Sequence, residues 1–486
     1  MPPVDLVIRY GKIVTPSGVI NGGVAVDEGR IVAIAGDASL PPADRTIDAK
    51  ENIVMPGVVD PECHLGSARE LRDDMETETA AAAAAGVTTW GLMNTTLALR
   101  KISKELTSPD DLPSFSEVLP LLREVEKYAT TDFFYTPILQ TERHAAEIPE
   151  YAARFGVTSY KLYLHMKNPN YSTFWHAKLL GFLGFDDRMI YLTMENVAKI
   201  GAPGLLCLHP ENWEIASLFE ERLLAQGRRD IVAWDERSPH FCEAHHIRSY
   251  AYLAGVTGCP LYIVHTTTKE TLDEIRRARR DGVKITAQTA PHYLNIPREK
   301  GWRVNVPLRD QETTEILWRA LADGTIDTLG SDHVAHSPRE ESEGKDAWSV
   351  KGGFSSRIEA HLPVMLSEGV NRGRITIQRL AEVIATNPAV AFGLYPVKGA
   401  ITVGADADLV IVDLKKEVTV SKENLHTRTG WSLYEGWTMK GWPILTMLRG
   451  NIVAEWDDGR RRNEILVKPG LGKYLPRTTQ SEKTTP

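Results

Sequence analysis

Cysteine is scarce in this chain: 486 residues include four, Cys63, Cys207, Cys242 and Cys259, widely spaced and never as a Cys-x-x-Cys pair. That scarcity argues against a disulfide scaffold. Long apolar runs are lacking too, with no stretch of about 18 uncharged apolar residues, so no membrane partner is expected. The start, Met1-Pro2-Pro3-Val4-Asp5-Leu6, has no basic stretch leading into an apolar one, and a cytoplasmic location is expected. Nor does one sign of charge dominate: the formal net charge of -8 is too mild to point to nucleic acid or an anionic membrane. What is present, 42% hydrophobic and 25% charged residues, is the composition of a globular protein. Its length suffices for one large domain and a smaller companion.

Strand-like stretches gather at the two ends. Leu6 to Val14, Gly23 to Val26 and Arg30 to Ala35 are short apolar-rich runs separated by Gly and Asp-Glu-Gly breaks. The pattern returns in Ala407 to Asp413, Glu417 to Ser421 and Ile444 to Ala454. No helical pattern separates these strands, so residues 1–55 and 396–475 are expected to form one small β-sandwich domain built from both termini. Between them, over 56–395, short apolar runs alternate with helical patterns: Val87 to Met93, Ser159 to Tyr163, Leu205 to Leu208, Leu261 to Val264, Val283 to Ala287 and Thr328 to Ser331. Strand then helix, repeated over this length, predicts an α/β fold with a (β/α)8 TIM barrel. A helix is expected to open near Thr77 and stop at Gly86. The polar end, 476–486, is expected to be a disordered tail.

Polar residues fall where such a barrel keeps its chemistry. His64 follows an apolar run, Lys161 interrupts one, and His209, His265 and Asp332 each end or follow one. All therefore belong to the carboxyl ends of strands, the active-site face. Histidines with an aspartate and Glu62 are the inventory of a Zn or Mn site rather than of Ca. Lys161 has two readings on residue chemistry alone. Either its ammonium pairs with Glu62 or Asp332, or its amine carries carbon dioxide as a carbamate that bridges two metals. His333 is a candidate to support the site, whereas His240, His245, His246 and His336 are expected on loops or helix faces. Trp431, Trp437 and Trp442 are expected to pack in the terminal strands.

The ordered motifs carry a resemblance. Asp60-Pro-Glu-Cys-His64 resembles the Asp-Pro-His-x-His opening of hydantoinases and dihydropyrimidinases, and Ser159-Tyr-Lys161 matches their lysine strand. His209-Pro-Glu-Asn212, Leu261 to His265 and Gly330-Ser-Asp332-His333 follow in the same order, as do Thr289-Ala-Pro-His-Tyr-Leu294 and Val306-Pro-Leu-Arg309. The similarity runs from about residue 4 to about residue 475. It implies a hydrolase that opens a small cyclic amide, imide or ureide ring by attack of a metal-bound hydroxide, and a homotetramer. It also implies two divalent cations, Zn or Mn, bridged by carboxylated Lys161. Glu62 and His64 would then hold the first metal, and His209 and His265 the second. Asp332 would ligate the first and carry the proton as the catalytic residue.

The departures cluster in the site. Glu62 stands where the family has its first histidine, adding negative charge and hardening the site toward Mn, Mg or Fe. Met166 stands where hydantoinases carry a tyrosine that donates to the developing oxyanion, and a thioether cannot donate. His165 and Tyr163 are the alternatives for that donor. Asn305 and Gly353 fall where the family binds the cyclic diamide through its backbone. An altered substrate range is the expectation. Two competing functions remain: a non-hydrolytic metal-dependent decarboxylase of an aromatic acid, suggested by the Glu-x-His opening but opposed by Lys161, and an inactive scaffold homologue, opposed by retention of the remaining ligands.

Overall fold

The computed structural model describes residues 3–67, 69–99, 107–168, 184–335, 346–348 and 356–479. From the N-terminus run β1 (Val4–Thr15), β2 (Gly18–Asp27), β3 (Arg30–Ala35), β4 (Ala43–Asp48) and β5 (Ile53–Pro56). From the other end come β14 (Leu409–Thr419), β15 (Thr438–Leu448), β16 (Asn451–Asp457) and β17 (Arg462–Ile465). These nine share one sheet, ordered β17-β16-β15-β14-β5-β1-β2-β3, with β4 pairing β1. Alternation sorts their side chains. Leu6, Ile8, Val24 and Val26 join Leu409, Ile411, Leu445 and Met447 in one core cluster, while Val7 and Ala25 turn to another. Hydrogen bonding thus gathers both chain ends into one continuous sheet with a shared core, where two facing sheets were expected.

Between them lie β6 (Val58–Cys63), β7 (Val87–Asn94), β8 (Asp132–Pro137), β9 (Ser159–Tyr163), β10 (Leu205–His209), β11 (Leu261–Ile263), β12 (Ile285–Thr289) and β13 (Thr328–Leu329). They form two parallel sheets, β6-β7-β8 and β13-β12-β11-β10-β9. Two isolated parallel bridges, Ile138 with Lys161 and Cys63 with His333, link one sheet to the other. Nearly every residue of these strands is buried, as parallel strands covered on both faces require. The crossovers are amphipathic helices. In Lys269–Arg280, Thr268 caps the start, Leu272, Ile275 and Ala278 form the buried stripe, and three arginines occupy the last turn.

Two expectations at element ends are corrected. The first crossover helix spans Leu71–Ala84, because Thr77 bonds back to the Asp73 carbonyl and is an interior residue rather than a cap. The chain also does not become a free tail at 476. Arg477 is buried, donating to Ser159 Oγ at 2.8 Å and to the Tyr135 carbonyl at 2.5 Å, beneath β8 and β9. Residues 480–486 lie outside the described ones.

Candidate metal centre

Strand geometry delivers the polar side chains to one end. Glu62 is the penultimate residue of β6 and His64 follows it, Lys161 lies in β9, and His209 is the last residue of β10. His265 comes two residues after β11 and Asp332 three after β13. Both adopt left-handed backbone, φ 37° and 50°, which side chains with a Cβ rarely accept without local strain.

Glu62, His64 and Asp332 bring one ligand atom each to within 4.8 Å of one another, and all three residues are buried. His64 Nε2 stands 3.1 Å from Asp332 Oδ1 and 3.9 Å from Glu62 Oε1, while its Nδ1 lies 2.8 Å from the Met93 carbonyl. Lys161 Nζ donates to Glu62 Oε1, and Gln288 Nε2 donates to Glu62 Oε2 at 2.6 Å. Burial alone would favour neutral Lys161, but the Glu62 charge outweighs it and holds the amine above the ordinary lysine range. In its ammonium form Lys161 thus pairs with Glu62, one of the two arrangements left open for it. Asp332 is likewise buried, yet Arg357 and His64 overcome the desolvation and keep its carboxyl well below the usual range. Arg357 Nη1 reaches Asp332 Oδ2 at 2.8 Å. Behind them Asp60, pushed up to about 7 mainly by burial, takes the Ser331 amide at 2.9 Å and fixes the turn that carries Asp332.

A second group adjoins the first. The His209 and His265 rings lie 4.3 Å apart, and His165 packs 4.3 Å from His209. His209 Nε2 and His265 Nδ1 are buried without a hydrogen-bond partner among the described residues, with Glu211 Oε2 3.6 Å from the former. Burial depresses His265 and His165 far below the ordinary histidine value, so both are neutral. Buried imidazole nitrogens without partners among the described residues, beside converging carboxylates, fit a divalent cation with a mixed nitrogen and oxygen shell. Tyr163 completes the lining: its ring centre lies 4.8 Å from Lys161 Nζ, and its hydroxyl is 3.4 Å from His64 Nδ1.

Of the remaining expectations, Met166 is buried at the end of the turn Leu164–Met166. Asn305 keeps a buried Oδ1 without a partner among the described residues. Gly353 and His336 lie outside the described residues. His333 supports the site from behind, with Nε2 2.9 Å from Glu78 and Nδ1 accepting from the Arg357 amide. Trp431 stacks on Trp302 at 5.4 Å, and Trp442 meets Trp456 edge-on. Sequence reasoning missed Gln288 and Arg357, the partners of Glu62 and Asp332. Gln288 adjoins the Thr289 motif and was within reach of that signal, whereas nothing near Arg357 announced it.

Comparisons with known proteins agree with this geometry. The model of the amidohydrolase family matches residues 240–453. An L-hydantoinase of Paenarthrobacter aurescens is 30% identical over 484 residues, covering 97% of this chain and 98% of its own. An allantoinase of Bacillus licheniformis is 28% identical, covering 97% and 99%. Among solved structures, the L-hydantoinase (dihydropyrimidinase) of Arthrobacter aurescens aligns with a TM-score of 0.84 and 28% identity over 98% of this chain and all of its own. The dihydropyrimidinase of Brevibacillus agri gives 0.82 and 26% over 97% and 98%. Shared motifs, converging ligands and end-to-end similarity lead to one conclusion: the chain belongs to the hydantoinase and dihydropyrimidinase family of amidohydrolases.

Proposed function

We propose that this protein is a metal-dependent hydrolase that opens a small cyclic amide, imide or ureide ring of the hydantoin or dihydropyrimidine kind. The observation that carries this reading is the buried meeting of Glu62, His64 and Asp332 beside His209 and His265, whose unpartnered nitrogens would hold a second cation. The two bridges between the parallel sheets support a closed (β/α)8 barrel over 56–395, with the two-ended sheet as its companion domain. Four free, buried cysteines suit a reducing cytoplasm. A homotetramer is proposed from the family alone.

Two divalent cations, Zn or Mn, would supply an acidified water and polarise the substrate carbonyl. The chain's own residues do the rest. Asp332, held between His64 and Arg357, is an ionised carboxylate positioned to take the water's proton and return it to the leaving ring nitrogen. Tyr163 is placed to offer the hydroxyl that Met166 lacks, donating to the carbonyl oxygen as it gains charge. Lys161 must give up its proton before it can accept carbon dioxide, which would release Glu62 Oε1 as a ligand. A decarboxylase accounts less well for Lys161 beside Glu62.

Protein loaded in turn with Zn, Mn and Co, offered a panel of hydantoins, dihydropyrimidines, imides and lactams, tests the reading. Ring opening of at least one class is expected. A panel left intact with all three metals would overturn it.

A further inference from the structure

A stack of alternating tryptophans and arginines begins at the metal centre and leads away from it. Trp213 packs 5.4 Å from His165, the Arg237 guanidinium lies 4.5 Å from the Trp213 ring and 3.8 Å from Trp234, and Arg303 covers Trp234 at 3.8 Å. Trp234 is fixed by its Nε1, which donates to the Val304 carbonyl at 2.8 Å. Stacking satisfies the faces of a guanidinium but leaves its N–H edges to find acceptors.

Those edges are under-supplied. The Arg237 side chain is 1% exposed, and its one carboxylate contact among the described residues is Nη2 to Glu211 Oε1 at 3.3 Å. Its Nε and Nη1 are buried with no partner among the described residues, and so is Arg303 Nε. Arg303 forms no ion pair among those residues. Burial, then the positive Arg237 nearby, depresses Arg303 to about 9, with Glu220 offsetting only part of that. Two like charges held close with unused donors, and only Glu211 and Glu220 opposing them, are costly unless a further anion joins them. Glu211 cannot serve both, because its other oxygen is taken by Trp213 Nε1 at 2.5 Å and faces His209. That same carboxylate spans from His209 to Arg237, so the donors begin one side chain away from the proposed reaction centre.

We infer that this tryptophan–arginine stack recognises a carboxylate side group carried by the cyclic substrate, which sets the protein's preference toward anionic rings. The inference rests on the ring-opening reading for its substrate, but its binding site stands on the stack alone.

Two measurements separate the two ideas. The first compares kcat/KM for hydantoin-5-propionate with that for its neutral primary amide, in wild type, Arg303→Gln and Arg303→Lys. The second titrates benzoate by quenching of tryptophan fluorescence in the same three metal-loaded proteins. The carboxylate should be preferred about 10-fold or more, the scale of a hydrogen bond to a charged group. Arg303→Gln should erase that preference and weaken benzoate binding about 10-fold, with Arg303→Lys restoring part of both. Rings opened without preference, and benzoate bound equally by wild type and Arg303→Gln, would overturn the inference and leave the hydrolase standing. Benzoate binding that depends on Arg303, with no ring opened, would do the reverse. Failure of both would remove both.

Discussion

Two lysines are buried in this protein to the same degree, and their surroundings differ in kind. Lys398 lies among Asp132 at 2.6 Å, Asp408 at 2.7 Å and Asp406 at 3.0 Å, and Arg449 also engages Asp132. These groups tie β8 to the chain entering β14, and every charge there has an opposite. Among the described residues Lys161 pairs directly with one carboxylate, Glu62, and beside it stand imidazole nitrogens that bond to nothing described. A satisfied network holds two parts of a fold together, while an unsatisfied one is kept for something that binds. The contrast separates structural from chemical burial within one chain.

The largest effect expected is on catalysis. Asp332→Asn should lower kcat/KM on the order of 10² to 10⁴-fold, the worth of a positioned proton carrier, in samples whose metal content is counted alongside. The contrast between the lysines is tested next. Lys398→Met removes the cation shared by three carboxylates and should cost about 3–5 kcal/mol in urea denaturation while leaving metal content intact, whereas Lys161→Met should release metal. A Lys161→Met protein that keeps its metal, or a Lys398→Met protein that unfolds no sooner than wild type, would break the comparison. Tyr163→Phe sharpens it within the site: kcat should fall about 10²-fold with little change in KM if its hydroxyl replaces the missing donor, and an unchanged kcat would return that role to His165. The smallest effect is expected at the chain end, where Arg477→Ala should cost about 1–3 kcal/mol of stability with kcat/KM unaltered.

Much of this was legible from pattern. Strands with short apolar runs ahead of a polar residue, such as Leu205–His209, announced both themselves and the ligand at their end. Arg30–Ala35 was bounded to the residue by its flanking Gly29 and Gly36. The strand Asp132–Pro137 was not recognised, because Asp-Phe-Phe-Tyr-Thr-Pro opens on a charge that the distant Lys398, Arg449 and the Lys473 amide make tolerable. Arg477 looked like tail for the same reason: its acceptors, Ser159 and the Tyr135 carbonyl, are over 300 positions away. In the site, ligand types could be inferred from spacing, but what holds them could not. Gln288 on Glu62 and Arg357 on Asp332 join separate segments, and only Gln288 sits beside a motif, while the Trp213–Arg237–Trp234–Arg303 stack joins three separate segments.

The central claim is that the Lys161 and Glu62 pair is the precursor of a two-cation centre. A metal count on protein purified without chelator, combined with a crystal structure resolving density at Lys161 and Glu62, tests it most directly. The account predicts two cations per chain, a carbamate on Lys161 between them, and Glu62 turned from the amine toward metal. One cation or none, beside a free amine still bonded to Glu62, would contradict it.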